Sequence, residues 1–395
     1  MLENLEVLPP DPLLGLMAAF AQDPNPQKID LGVGIYQDNT GQTPVMGAVL
    51  EAEARLLASE GSKRYLPPAG DPAFTSGMLA LVLGEGAAGQ FGERVRVVQT
   101  PGGCGALRIG AEVIARSRPG ARVWVSDPTW PNHVPLLGGA GLQLQTYPYY
   151  DFAHHRLDFD AMFAALGEAT AGDVVLLHGC CHNPSGADLS LQQWQVLTEL
   201  CEQKGFTPMV DVAYQGLGQG LEADAAGWRW MAERVPEILI ASSCSKNFGL
   251  YRERTGALLA VARDGRAAQA VHSQALSAAR QIYSMPPSHG ALAAGMILQD
   301  ADLGDTWRHE LAQMRERIAS VRRGVAQSLG SDFQFIVREA GMFSFLGIRA
   351  EQVKRLREEF GIYMAESTRI NLAGLNDGNL EYFCTAMNTV LNERH

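Results

Sequence analysis

The chain has 395 residues, 46% of them hydrophobic, with 43 acidic side chains against 32 Lys and Arg and a formal net charge of −11. That length exceeds what one core usually organises, so two domains or one large α/β unit are expected, and the apolar content argues against disorder. The negative charge disfavours nucleic acid or an anionic membrane as a partner, and no run approaches the ~20 apolar residues of a membrane span.

The N-terminus, Met1-Leu-Glu-Asn-Leu-Glu6, carries acid where a signal peptide would carry base. The six cysteines include no C-x-x-C pair, and a chain this large needs no disulfide staples. Reduced thiols in a cytoplasmic protein are the expectation.

In chain order, Arg94–Thr100 reads as a strand, followed by a Gly-rich turn and a helix over Ala106–Arg116. Arg122–Ser126, Val174–His178, Thr207–Asp211 and Ile238–Ala241 read as further short apolar strands. Strands spaced by helices predict a mainly parallel sheet covered on both faces, which binds ligands beyond the carboxyl ends of its strands. Gly103, Trp130, Asn183, Asp211 and Lys246 all fall there. The pattern then changes. Thr306–Leu329 is a long amphipathic helix, Phe333–Val337 and Gly341–Gly347 read as paired strands, and Val353–Phe360 is helical again. A second, smaller α+β domain is expected from this change.

The most informative segment is Ala241-Ser-Ser-Cys-Ser-Lys246, with Arg254 eight positions beyond the lysine. An amine at the end of a buried strand, beside hydroxyls and a guanidinium, suits a lysine that joins an aldehyde next to a bound phosphate. Val210-Asp-Val-Ala-Tyr214 is another strand ending in a carboxylate and a phenol. Pyridoxal phosphate needs a lysine for its aldehyde, a carboxylate for its ring nitrogen and donors for its phosphate. A lone lysine is more often a surface group; Lys246 with Asp211 and Arg254 favours the cofactor.

Gly102-Gly-Cys-Gly105 opens a helix directly after a strand, where free N–H groups and the helix dipole favour an anion. Many such turns are only tight connections. A nucleotide-binding dehydrogenase is disfavoured because Arg108 stands where the third glycine of G-x-G-x-x-G belongs. His178-Gly-Cys-Cys-His182 invites a zinc reading, but adjacent Cys180 and Cys181 are expected to diverge, so no metal is assigned.

Several motifs occur in order: Thr100-Pro-Gly-Gly-Cys-Gly-Ala106, Asp127-Pro-Thr-Trp-Pro-Asn-His133, His178-Gly-Cys-Cys-His-Asn-Pro-Ser-Gly186, Asp211-x-Ala-Tyr-Gln-Gly216 and the Lys246 segment. With them the chain resembles the class I, fold-type-I aminotransferases, in particular the bacterial aspartate and aromatic amino acid enzymes, over essentially its whole length. The resemblance implies an N-terminal arm, at Pro9-Pro-Asp-Pro12, and part of a discontinuous small domain over 1–36. A large cofactor-binding domain follows over 37–305, and the rest of the small domain over 306–395. It implies a homodimer with shared active sites.

It also implies residue roles. Lys246 would hold the cofactor as an aldimine and shuttle the substrate proton, with Asp211 on the ring nitrogen and His133 orienting Asp211. Tyr214 and Asn183 would bond the ring oxygen, and Trp130 would stack on the ring. Gly103, Cys104, Ser243 and Arg254 would form the phosphate cup, joined by Tyr65 from the neighbouring subunit; Tyr65 is counted with Lys246 and Asp211 as catalytic. Cys104 replaces the Thr or Ser of similar chains, which shifts the phosphate contact toward backbone amides. Arg369, with Asn183, Trp130 and the backbone at Gly34, would bind the substrate α-carboxylate. Arg280 would reach across the subunit interface to a side-chain carboxylate.

Ile35, Gln37, Arg64, Cys104 and Met285 depart from the aspartate-selective pattern, and some of these changes make the pocket more apolar. The expected activity is amino transfer between aspartate or glutamate and 2-oxo acids such as 2-oxoglutarate, with aromatic amino acids accepted. An enzyme chiefly for aromatic amino acids is the alternative. A lyase or decarboxylase on the same fold is disfavoured by the paired arginines, and a non-catalytic binding protein by the presence of Lys246.

Overall fold

A computed structural model describes residues 1–8 and 12–392. The chain divides into two compact units, Pro44–Arg317 with Glu339–Gly341, and Met1–Thr43 with Ile318–Arg338 and Met342–His395. The expected arm at Pro9–Pro12 lies outside the described residues except for Pro12, which opens the helix Pro12–Gln22.

The larger unit is built on a seven-stranded sheet of β1 (Val95–Pro101), β2 (Arg122–Asp127), β3 (Gln143–Pro148), β4 (Val174–His178), β5 (Thr207–Val212), β6 (Ile238–Ser243) and β7 (Thr255–Val261). Their spatial order is β1-β7-β6-β5-β4-β2-β3. β3, β2, β4, β5 and β6 run parallel, while β7 lies antiparallel between β6 and β1. The fold is therefore α/β with a mainly parallel sheet, as the strand–helix alternation predicts. β3 and β7 are not among the strands read from the sequence, and β7 runs against both of its neighbours.

Alternate residues of the strands enter one core. Val123 and Val125, Val174 and Leu176, Leu239 and Ala241, and Leu258 and Ala260 pack with Leu107, Ile109 and Ile114 of helix α1 (Gly102–Ser117). The intervening residues Trp124, Val175, Leu177, Val210, Ile240 and Leu259 are buried as well. Burial on both faces is why these strands read as continuous apolar runs rather than alternating ones. Helix boundaries follow local chemistry. α2 (Leu191–Lys204) starts in a capping box between Ser190 and Gln193 and stops at Gly205, whose φ is +75°.

The smaller unit has its own core, including Ile29, Leu31, Val325, Phe335, Leu356, Ile370 and Phe383. Ile29–Asp30 pairs in parallel with Ile362–Tyr363, and Phe343–Phe345 pairs antiparallel with Arg369–Asn371. Here one expectation fails. Phe333–Val337 is not a strand: Ser331–Phe333 and Phe335–Arg338 are short helices, and Phe343–Phe345 pairs with 369–371 instead.

Candidate active site

Register places the chemical groups of the larger unit along one edge of the sheet. His178 pairs with Asp211, Asp211 with Ala241, Ser243 with Gly256 and Thr255 with Pro101. The carboxyl ends of β4, β5 and β6 thus meet the start of α1, and Lys246 follows in the turn after β6.

Asp211 is tied into a buried chain of hydrogen bonds. His133 Nε2 lies 3.0 Å from Asp211 Oδ2, His133 Nδ1 lies 2.8 Å from Thr129 Oγ1, and His178 Nε2 lies 3.1 Å from the same hydroxyl. One direction satisfies all three contacts: His178 donates to Thr129, Thr129 to His133 Nδ1, and His133 Nε2–H to the carboxylate. Burial pushes the Asp211 carboxyl up, but the His133 hydrogen bond, aided by the charges of His133, His178 and Lys246, holds it below the ordinary range. Burial, with His133 nearby, pushes His178 down to about 3, so it is neutral at pH 7. An ionised carboxylate fixed this way is a ready partner for a protonated ring nitrogen.

Lys246 Nζ sits 4.8 Å from the centroid of the buried Tyr214 ring, and Asn183 Nδ2 approaches the Tyr214 hydroxyl at 3.5 Å. Trp130 meets His133 edge-on, with ring centroids 5.2 Å apart.

At the start of α1 the chain leaves a cradle. Gly102 has φ +69°, and a Cβ there would lie 2.7 Å from Arg254 Nη2; a Cβ at Gly103 would lie 3.1 Å from Ser243 Cβ. Arg254, itself at φ +53°, is anchored by Nη1 donating to Tyr251 O at 2.7 Å. Ser243 Oγ donates to Ser245 Oγ and accepts from Ser245 N. The first amides of a 16-residue helix, a guanidinium and a hydroxyl therefore meet where side chains are excluded, which is a donor set suited to a phosphate. Cys104 Sγ lies 3.8 Å from Asn132 Nδ2, and burial pushes its thiol up against the opposing pull of Arg254 and Lys246. Cradle, carboxylate and lysine together fit pyridoxal phosphate.

Tyr65, Arg280, Arg369 and Gly34 are the other residues singled out in the sequence. Tyr65 is 89% exposed, and Arg280 is exposed on the helix Gly265–Ile282, donating to Ser284 Oγ. Neither bonds to Lys246, Asp211 or Arg254. Arg369 and Gly34 belong to the smaller unit. Arg369 is buried, donates to Gly32 O at 2.6 Å and lies over Phe343, its Cζ 4.6 Å from the ring centroid. A Cβ at Gly34 would lie 2.8 Å from Phe343 Cζ.

Two participants were missed in the sequence. Thr129 links the two histidines; its signal was its place between Asp127 and His133. Asn371 holds the segment before Tyr36 by donating to Val33 O and Ile35 O, both at 2.7 Å. Its signal was its place two positions after Arg369, on the same short strand.

The family model described as "Aminotransferase class I and II" matches residues 26–387. Aspartate aminotransferase of Salmonella typhi is 48% identical over 99% of this chain and 100% of its own length. Aromatic-amino-acid aminotransferase of Paracoccus denitrificans is also 48% identical, over 98% and 99%. The crystal structure of aromatic-amino-acid aminotransferase from Burkholderia pseudomallei covalently bound to pyridoxal phosphate superposes with a TM-score of 0.97 at 40% identity, covering 99% of this chain and 100% of that one. With the cradle and the lysine at the strand ends, these likenesses place the chain in the class I and II aminotransferase family.

Proposed function

We infer that the protein is a pyridoxal-phosphate-dependent aminotransferase that moves the α-amino group between aspartate or glutamate and 2-oxo acids, and that also takes aromatic amino acids. The observation that carries this reading is Lys246 beside the His133-bound carboxylate of Asp211, at the same sheet edge as the Gly102–Arg254 cradle. When bound, pyridoxal phosphate supplies an aldehyde for the amino group and an electron-poor ring that spreads the charge left as the α-proton departs.

The chain's own residues do the rest. Gly103, Cys104, Ser243 and Arg254 would hold the phosphate, and Asp211, oriented by His133, would keep the ring nitrogen protonated. Tyr214 and Asn183 would bond the ring oxygen, and Trp130 would stack on the ring. Lys246 Nζ would take the proton from the substrate α-carbon and hold it as an ammonium. Arg369, with the backbone at Gly34, would receive the α-carboxylate.

Tyr65 and Arg280 face outward from the larger unit, which supports their serving the site of a second copy. Leu50 and Leu57, 54% and 88% exposed on the helix Gly47–Ser59, supply apolar surface for such a homodimer. No helix among the described residues is long and apolar enough to cross a membrane, and the six cysteines form no disulfide; the cytoplasm is the compartment proposed.

The relatives include aspartate and aromatic enzymes at the same 48% identity, so the decisive test is a donor screen. With 2-oxoglutarate as acceptor, aspartate and at least one of phenylalanine or tyrosine are expected to give glutamate. Activity with aromatic donors alone would replace this reading with the aromatic one, and no glutamate from any donor would end it.

A further inference from the structure

The segment His178-Gly-Cys-Cys-His182 carries two side chains that the cofactor cluster does not use, Cys180 and Cys181. Successive side chains on an extended chain point to opposite sides, which is why neighbouring cysteines are expected to diverge. Here they do not. Cys181 adopts a left-handed φ of +51°, rare for a residue with a side chain. The two sulfurs and a carboxylate oxygen of Asp224 come within 4.8 Å of one another.

The arrangement is held from several directions. Cys181 N and His182 N donate to Asp188 at 2.7 and 2.8 Å, fixing the turn. Asp224 accepts from Gly216 N, Gly218 N and Gln219 N. Gly341 closes against Cys181, since a Cβ there would stand 2.4 Å from Cys181 Cβ. Both cysteines are buried, and bonding to Cys181, reinforced by burial, keeps the Cys180 thiol well above its ordinary range.

A divalent cation at this place would gather two thiolates and a carboxylate in a buried spot, which charge burial disfavours. A neutral reagent that bridges two protonated thiols avoids that cost. We propose that Cys180 and Cys181, with Asp224, form a bridging site for a neutral trivalent arsenical. With arsenous acid, two As–S bonds form and two As–O bonds break, and the two hydroxyls leave as water with the two thiol protons. Arsenic stays trivalent, no electron is transferred and the product is neutral. The hydroxyl left on arsenic then donates to the Asp224 carboxylate.

The test is native mass spectrometry of the holoenzyme in excess arsenous acid at pH 7, with arsenic K-edge absorption on the same complex. One arsenic per chain is expected, with two sulfurs and one oxygen in its first shell, released by 2,3-dimercaptopropanol. Cys180→Ser and Cys181→Ser should each lose the arsenic, and Cys104→Ser should keep it. If either serine variant fails to fold, the absorption spectrum of the unaltered enzyme decides. No bound arsenic, a shell without two sulfurs, retention in Cys181→Ser, or capture of Cd2+ without capture of arsenous acid would each overturn the proposal.

Discussion

Gly102→Ala tests whether the cradle is a phosphate site, because its effect on the fold and its effect on the ligand can be read separately. Gly102 sits at φ +69°, where a Cβ costs about 1–2 kcal/mol; that part acts on stability. The new methyl would also start 2.7 Å from Arg254 Nη2 and 3.2 Å from Cζ. Ordinary contact requires 3.4 Å or more, so the guanidinium must retreat by roughly 0.7 Å while its Nη1 is still tied to Tyr251 O. A charge-assisted hydrogen bond to phosphate contributes about 1.5–3 kcal/mol. Losing one should weaken pyridoxal phosphate by roughly one to two decades in Kd, since each 1.36 kcal/mol is about tenfold. Spectrophotometric titration of the apoenzyme gives the Kd, and urea unfolding of the same apoenzyme gives the stability loss. A variant destabilised as expected but binding the cofactor within threefold of the unaltered enzyme would refute the placement of phosphate between Gly102 and Arg254.

Arg280→Val should depress kcat/KM for aspartate and glutamate by at least one to two decades and change phenylalanine or tyrosine far less, because only a distal carboxylate can form the charge-assisted pair; equal losses would make Arg280 structural. Mixing Lys246→Ala with Arg280→Val protomers should restore dicarboxylate activity at one of the two sites of each hybrid dimer, and no recovery in verified hybrids would show that the sites are not shared. His178 is held neutral, with its pKa near 3 in the folded chain against an ordinary value of about 6.5. It therefore supports folding fully above about pH 6.5, and that support fades as pH falls toward 3, where unfolded chains take up the proton first. His178→Phe should flatten the pH dependence of urea unfolding between 6.5 and 3, and an unchanged slope would contradict the burial of a neutral imidazole.

Much of the catalytic edge was readable because its strands are buried on both faces. Runs such as Val174–His178 and Ile238–Ala241 end abruptly in polar chemistry, and a parallel sheet puts those ends together. What failed were features decided by tertiary context. Phe333–Val337 has the aromatic and branched residues of a strand, but five residues cannot distinguish a period of 2 from one of 3.6. Phe333, Phe335 and Ile336 in fact enter the smaller core from short helices. The direction of β7 depends on its neighbours rather than on its own residues. Thr129 is an ordinary turn residue until folding sets it between His133 and His178. The convergence of Cys180 and Cys181 involves a left-handed backbone at Cys181 and the bonds of the turn to Asp188, which residue types do not disclose.

Borohydride reduction shows whether Lys246 is the amine that carries the cofactor. The purified protein should absorb in the visible, and reduction followed by proteolysis should leave a pyridoxyl group on the peptide containing Lys246, while Lys246→Ala binds the cofactor only reversibly and loses nearly all turnover. A pyridoxyl group on another lysine, or near-normal turnover by Lys246→Ala, would contradict it.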